Sequence, residues 1–351
     1  MKKLTAIFLA VMLAATLFAG CAQQADPAET DSENTRPQIA FVTQDMQGAF
    51  WIDMMNGGST AAVDYGADLI YKSSEASVEK QISIIENLIT QDVDAIIVDP
   101  INKEAIIPVI EKCGKAGIPV VTAGNLIETD YNVSTVYNDT YDIGVITDIV
   151  CHMIDEAGKV ACVVGAPGSA VSDARQAGFE EAVAEYPDVT PFVLPANWDA
   201  TIAQQMVTDL LTTDPDLDAV ICADAIGYQV YQAASAAGKE DLIITNLAGM
   251  SENLQGITDG MYALDLLMGG ARIGYWNVAT AVKLAEGAEI SSVIYLPTQI
   301  IANQDLIDQM TEWGITSVPA CTPEEAVGIL AGYTEEFGPD VYDPANYAAR
   351  Q

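Results

Sequence analysis

Positive charge is what this chain has least of. Lys and Arg number 14 in 351 residues against 50 Asp and Glu, for a net charge of −36, and His152 is the one histidine. Binding a polyanion needs a basic patch, so nucleic acid is excluded as a partner. Docking onto anionic headgroups through protein charge is disfavoured for the same reason. There is no Cys-x-x-Cys pair and no Cys/His cluster, so no zinc site can be argued. Beyond Cys21 the cysteines are Cys113, Cys151, Cys162, Cys222 and Cys321, widely spaced and odd in number. Cys162 and Cys222 sit in apolar strand-like runs and read as small buried hydrophobes. One disulfide is possible, but a framework is not needed at this size. The chain also lacks a nucleophile beside a base and a phosphate-cradling glycine loop, which sets enzymes aside, and no cofactor is expected. Past the N-terminus no stretch reaches the roughly 18 uncharged apolar residues of a membrane span.

What is present begins with a leader. Lys2 and Lys3 precede an apolar run from Leu4 to Phe18, closed by Ala19-Gly20-Cys21. This predicts a secretory signal over residues 1–21 of the lipoprotein kind, with Cys21 left as a lipidated N-terminus. Phe18 replaces the usual leucine three residues before the cysteine, and an ordinary signal with an incidental cysteine is the alternative. Residues 22–36 are rich in Gln, Asp, Glu, Ser, Asn and Thr without apolar periodicity and read as a flexible tether. The expected product is an extracytoplasmic body, monomeric and lipid-anchored to the cell membrane. From Pro37 onward it is long enough for two domains.

The body is organised around Ile39 to Trp51. An apolar strand, Ile39 to Thr43, breaks at Gln44 and Asp45, turns through Gln47 and Gly48, and restarts as a helix near Phe50. Two aromatics therefore follow the carboxyl end of a first strand, where open α/β sheets bind ligands. Such a pair offers a flat apolar wall; the alternative is that Phe50 and Trp51 form the first buried turn of the helix. Strands and helices then alternate. Helix 51–65, whose Gly57-Gly58 weakens its middle, precedes strand 68–71, helix 77–90 with Ser77 as N-cap, strand 95–98, helix 103–115 and strand 120–122. After strand 134–137 and Asn138-Asp139 the rhythm repeats: helices 142–156, 173–185, 200–212 and 225–236 alternate with strands 159–164, 189–194, 219–222 and 242–245. A last unit pairs strand 262–267 with helix 272–285. Continuous Val/Ile runs argue for parallel sheets buried on both faces, a doubly wound α/β pattern that occurs twice.

Several of these residues resemble a known family. Ile39-Ala-Phe-Val with Phe50-Trp51, Val98-Asp99-Pro100, Ile118-Pro119-Val120-Val121, Arg175-Gln-Ala-Gly178-Phe179, Thr258-Asp259-Gly260 and Leu284-Ala-Glu-Gly287 fall in order. They look like the sugar-type, ribose-binding kind of periplasmic binding protein of ABC importers, over about Pro37 to Ile301. The resemblance implies the type I fold: two Rossmann-like lobes with doubly wound parallel sheets, joined by a three-crossing hinge. By position the crossings fall near Asn138, Met268 and Pro297. The first lobe then takes 37–138 plus 269–297 and the second 139–268 plus 298–351, with a C-terminal extension of short helices at 304–313 and 323–333 expected to pack across the second lobe. The implied partners are a small-molecule ligand clamped by hinge closure and a membrane permease that reads the closed form.

The resemblance also implies site residues. Phe50 and Trp51 match an aromatic pair, Trp198 a facing aromatic, and Arg175 an arginine that forks onto oxygens. Asp99 and Asp224 stand at polar positions, and Asp45, Gln47, Asn125 and Asp173 are further polar candidates. Asp99 reads equally as a loop cap and Asp173 as an N-cap; Arg175 also suits a surface ion pair, and Trp198 and Met268 suit packing. Departures from ribose binders are Gly48 for Asn, Gly124-Asn125 for Asp-Arg, Ala248 for Asp and Met268 for Gln. A pocket without these groups suits ribose poorly, since each unpaired hydroxyl costs roughly 1–3 kcal/mol. The expected ligand is a small sugar, polyol or related solute; a nucleoside, a signalling molecule or a small cation held over the rings is the alternative.

Overall fold

The structure, a computed structural model, describes residues 36–335. The signal peptide with Cys21, the tether up to residue 35, and the tail from residue 336 lie outside the described residues. Continuous apolar runs become strands with both faces covered. One sheet holds β1 (Gln38–Thr43), β2 (Asp68–Ser73), β3 (Ala95–Val98), β4 (Val120–Ala123), β5 (Asn132–Val136) and β11 (Val293–Tyr295), in the order β11-β5-β4-β3-β1-β2. The other holds β6 (Ala157–Val164), β7 (Asp188–Pro195), β8 (Ala219–Cys222), β9 (Ile243–Leu247), β10 (Leu264–Leu267), β12 (Gln299–Ala302) and β13 (Ala320–Cys321), in the order β13-β12-β10-β9-β8-β6-β7. Pairing is parallel except where β12 returns antiparallel to β10. Every residue of β3, β4 and β8 is buried, as expected of strands sandwiched between helices.

Helices α1 (Ala49–Asp64), α2 (Val78–Gln91), α3 (Ile107–Lys115) and α9 (Gly270–Ala285) flank the first sheet. Helices α4 (Asp139–Met153), α5 (Ala170–Val183), α6 (Ala200–Thr213), α7 (Gly227–Ala236) and α8 (Ser251–Thr258) flank the second. The Ser77 hydroxyl accepts from the Lys80 N–H at 3.2 Å and caps α2. α3 starts later than its apolar pattern suggests, because Asn102 Oδ1 accepts from the N–H groups of Glu104 and Ala105 and holds a turn there first. α8, β11, β12 and β13 had no clear signal; they are short, and their partners are distant in sequence. The chain passes between the sheets three times: from β5 to β6, from β10 into α9 and β11, and from β11 to β12.

Gly57-Gly58, which weakened the helix reading, is where α1 and α9 touch. A Cβ on Gly57 would lie 1.9 Å from the Ala271 carbonyl oxygen, and one on Gly274 would lie 1.9 Å from that of Met54. Only glycine permits two helix backbones so close. The contact pins the start of α1, with Phe50 and Trp51, beside the Met268-Gly269 passage.

The C-terminal segment divides its contacts. α10 (Gln304–Glu312) packs near β13, while α11 (Pro323–Ala331), closed by a Thr322–Glu325 capping box, packs on α8 and β12. The chain then turns back, and the Tyr333 carbonyl accepts from Trp276 Nε1 of α9 at 3.0 Å. The extension was expected to pack across the second lobe; α11 lies on elements of the second sheet, and Tyr333 also reaches α9 beside the first. His152 stacks on Trp313 at 5.2 Å between ring centres. Cys113, Cys151, Cys162, Cys222 and Cys321 are all buried and free.

Gly274→Ala should cost about 1–3 kcal/mol through overpacking, read as a lower urea midpoint; an unchanged midpoint would mean that α1 and α9 do not press together there.

Candidate functional site

Parallel register brings three strand ends together. Val42 lies opposite Val98, and Val98 opposite Thr122, so Gln44, Asp99 and Asn125 emerge side by side beyond β1, β3 and β4. Asp99 is the centre of this group. Its Oδ2 accepts from Trp51 Nε1 at 2.9 Å, and its Oδ1 accepts from Gln44 Nε2 at 2.9 Å and Asn125 Nδ2 at 3.2 Å. Its backbone is held too: its N–H donates to the Val42 carbonyl, and its carbonyl accepts from Gln81 Nε2. Burial pushes the Asp99 carboxyl up to about 6, against the pull of the three donors. Trp51 is thereby a hydrogen-bonded ring, set edge-on to Phe50 at 6.2 Å between centroids.

The second sheet contributes the opposite wall. Arg175, on α5, is buried; its Nε donates to Asp139 Oδ1 at 2.7 Å, its Nη1 to the Ala223 carbonyl at 2.8 Å, and its Nη2 meets the Met268 sulfur at 3.5 Å. Trp198 follows β7 with φ of 63°, a left-handed backbone that a bulky residue rarely adopts. Its ring lies against Gly165, where a Cβ would come within 2.2 Å, and Arg175 Cζ stands 6.0 Å from its centre. Asp224 follows β8; burial raises its carboxyl and Arg175 partly offsets that. Asp265, fully buried in β10, accepts from the N–H groups of Ala248 and Gly249 and shapes the loop that carries Ala248.

Between the walls lies a cavity of about 180 Å³. That is below the roughly 300–1,000 Å³ of drug-sized sites, so it suits a small solute. The structure brings Phe50, Trp51, Asp99, Asn125, Arg175, Trp198, Asp224, Ala248 and Met268 to its lining. It does not bring Asp45, Gln47 or Asp173 there. Asp45 accepts from the N–H groups of Met46, Gln47 and Gly48 and holds the turn before α1; Gln47 is exposed. Asp173 accepts from the Gly168 N–H and pairs with Lys103 Nζ at 2.6 Å. The Lys103 N–H also donates to the Gly168 carbonyl, so these residues join the loop after β3 to the start of α5. Asp173 and Arg175 are two apart on one helix and face different ways. Sequence reasoning missed Gln44, Met54, Ala123, Tyr137, Ser169, Val171, Ala225, Leu247 and Ile273 in the lining. Gln44 alone had a signal, as the first polar residue after β1.

The passages between the sheets meet behind the cavity. Tyr137 Oη donates to the Met268 carbonyl at 2.5 Å. Arg272 Nη1 donates to the carbonyls of Leu267 and Met268, and its Nη2 donates to that of Pro297. Its guanidinium also lies 5.8 Å from the Tyr137 ring centre.

A family model described as a periplasmic binding protein domain matches residues 39–289. The ribose import binding protein RbsB of Escherichia coli K12 is 24% identical over 306 residues, 87% of this chain and 99% of that protein. A xylitol-binding protein of Mycolicibacterium smegmatis is 24% identical over 293 residues, 82% of this chain and 83% of its own length. Among solved structures, a periplasmic solute binding protein of an ABC transporter from Actinobacillus succinogenes, with bound D-allose, superposes with a TM-score of 0.71 at 25% identity. It covers 78% of this chain and all of its own. The two parallel-sheet α/β lobes are those of type I periplasmic binding proteins.

The raised Asp99 carboxyl has a defined sign. Its folded pKa lies above the ordinary 3.8, so its contribution to stability is fully present below pH 3.8 and is lost as pH rises through about 6. Carboxyl-carbon NMR should show an Asp signal titrating near pH 6 that disappears in Asp99→Asn; a spectrum unchanged by the substitution in that range would contradict the assignment.

Proposed function

The chain belongs to the periplasmic binding protein domain family, and from that premise we propose that it is the extracytoplasmic substrate-binding lipoprotein of an ABC importer. It captures a small sugar, polyol or related solute between two lobes, 37–138 plus 269–297 and 139–268 plus 298–351, and delivers it to a membrane permease. It works as a receptor without turnover, lipid-anchored through Cys21 and monomeric. The observation that carries this reading is the cavity itself. Rings come to it from both sides, Phe50 and Trp51 from α1 and Trp198 from the end of β7, and the passages between the sheets lie behind it. The relatives named for ribose and xylitol point to the same class of solute. No described helix is long and apolar enough to cross a membrane, which accords with an anchor ahead of residue 36.

In this reading Phe50, Trp51, Asp99, Asn125, Arg175, Trp198, Asp224, Ala248 and Met268 contact the solute. Aromatic faces cover its apolar side, and Arg175 offers the N–H directions its protein partners leave. Lys103 and Asp173 act differently, as a clasp that favours the closed arrangement. A solute that touches both walls lowers the free energy of that arrangement and shifts the population toward it.

A thermal-shift screen of pentoses, hexoses, polyols and nucleosides tests the reading. Binding raises the midpoint as RT ln(1 + [L]/Kd). The expected result is stabilisation by a sugar or polyol; stabilisation by nucleosides alone would replace it with base stacking, and turnover of any compound would refute a pure receptor. Asp173→Asn should weaken binding of the stabilising solute by roughly two- to fivefold at low salt, and the gap to the unsubstituted protein should close as salt is added. An unchanged affinity would deny the clasp.

A further inference from the structure

The cavity has an apolar floor on the side of the passages between the sheets. Met54, Gly124, Ala248, Met268 and Ile273 line it, and all but the glycine are buried hydrophobic side chains. Their contacts make them one surface. A Cβ on Gly124 would lie 4.0 Å from Ile273 Cγ1, and the Met54 backbone presses on Gly274, next to Ile273. The Gly269 N–H donates to the Ala248 carbonyl at 2.8 Å, which ties Ala248 to the residue after Met268. Tyr137 presents its ring here, because its Oη is turned onto the Met268 carbonyl.

The backbone of the floor is committed as well. The Ala248 and Gly249 N–H groups both donate to Asp265 Oδ1, at 2.9 and 3.2 Å. The Gly124 N–H donates to the Thr135 carbonyl at 2.8 Å. The Met268 carbonyl accepts from Tyr137 and Arg272, and the Ala123 carbonyl from Asn125 Nδ2. A hydroxyl set on this floor gives up water, and none of these groups donates to its oxygen, which is costly. A methyl or methylene in the same place is buried among carbon and sulfur, which is favourable. The charged groups of the lining stand on the walls: Asp99 after β3, Asp224 after β8 and Arg175 on α5. Arg175 Nη2 reaches only the rim of the floor, at the Met268 sulfur.

We infer that the solute is a deoxy sugar, a monosaccharide with a methyl or methylene where its parent has a hydroxyl-bearing carbon. Its hydroxylated edge meets Asp99, Arg175 and Asp224, and its deoxy carbon rests on Ala248, Met268 and Ile273. The inference rests on the receptor reading above and deepens it by naming the class of solute. Phe50, Trp51 and Trp198 suit the same guest, since a deoxy carbon enlarges the apolar face that a sugar turns toward a ring. Met268 and Ala248 are the specificity-determining residues. Met268→Gln replaces a thioether with an amide of similar volume, which brings a donor and an acceptor to the floor.

The test uses matched pairs on the intact protein, measured by thermal shift and titration calorimetry: galactose with fucose, mannose with rhamnose, glucose with quinovose and ribose with deoxyribose, each pair in the same enantiomer. Each pair keeps the ring and removes one hydroxyl. At least one deoxy member is expected to bind about tenfold or more tightly than its parent. Met268→Gln should narrow that preference to about threefold or less, and Val327→Gln, at an exposed position of α11, should leave it intact. A preference that Met268→Gln leaves unchanged would overturn the assignment of the floor. If Met268→Gln fails to fold by circular dichroism, Ala248→Ser takes its place with the same expected narrowing, and the deoxy against parent comparison in the unsubstituted protein still decides. Parents binding as tightly as their deoxy partners in every pair would overturn this inference and leave the receptor reading standing. Stabilisation by no sugar or polyol in either screen would overturn both.

Discussion

One buried guanidinium ties together the three places where the chain changes sheet. Arg272 lies against the Tyr137 ring, donates to the Leu267 and Met268 carbonyls, and reaches the Pro297 carbonyl at 2.5 Å. These residues belong to the first, second and third passages. An arginine 3% exposed must have its donors met, and here the partners are the backbone carbonyls of Leu267, Met268 and Pro297. Tyr137 shares the Met268 carbonyl. Any relative rotation of the lobes has to pivot at this knot, with small backbone changes at a few element ends.

Met268 connects that knot to the cavity. Its carbonyl belongs to the hinge, while its side chain lines the cavity and touches Arg175. A guest that presses on Arg175 or Met268 therefore acts on the residue whose backbone holds the passages together. Elsewhere, Lys103 and Asp173 join the loop after β3 to the first turn of α5. The pivot is buried and assembled from directed hydrogen bonds, whereas the clasp is a half-exposed ion pair of small energy. A stiff pivot and a weak clasp suit a device whose closed population should be set by its guest.

Much of the architecture was legible in the residues. Ala95–Val98 and Ala219–Cys222 read as buried strands because continuous apolar runs, bounded by Asp94 and Asp99 in one case and Asp218 and Asp224 in the other, suit a sheet covered on both faces. Ser77 announced its helix through a local bond to Lys80. The elements that escaped, α8 and β11 to β13, are short and held by distant partners. Gly57-Gly58 misled for the same reason, since its purpose lies on α9. At the site, Phe50, Trp51, Arg175 and Trp198 were placed by family position, and the structure sets them around one cavity. Asp45 and Asp173 were not separable from them by residue type. One is defined by the backbone N–H groups just after it, the other by a lysine 70 residues away. The hinge knot was invisible, because nothing local marks Tyr137 and Arg272 as partners.

The central claim is mechanical: two lobes turn about the Arg272 knot and shut on a small solute. Spin labels at exposed Glu104 and Glu180, one on each lobe, report the turn through pulsed dipolar distance measurement, with the five cysteines of the described residues buried and out of reach. The account predicts a broad distribution of distances in the free protein that collapses to one narrow, shorter population when the solute giving the largest thermal shift is added at saturation. The same distribution with and without that solute would contradict it.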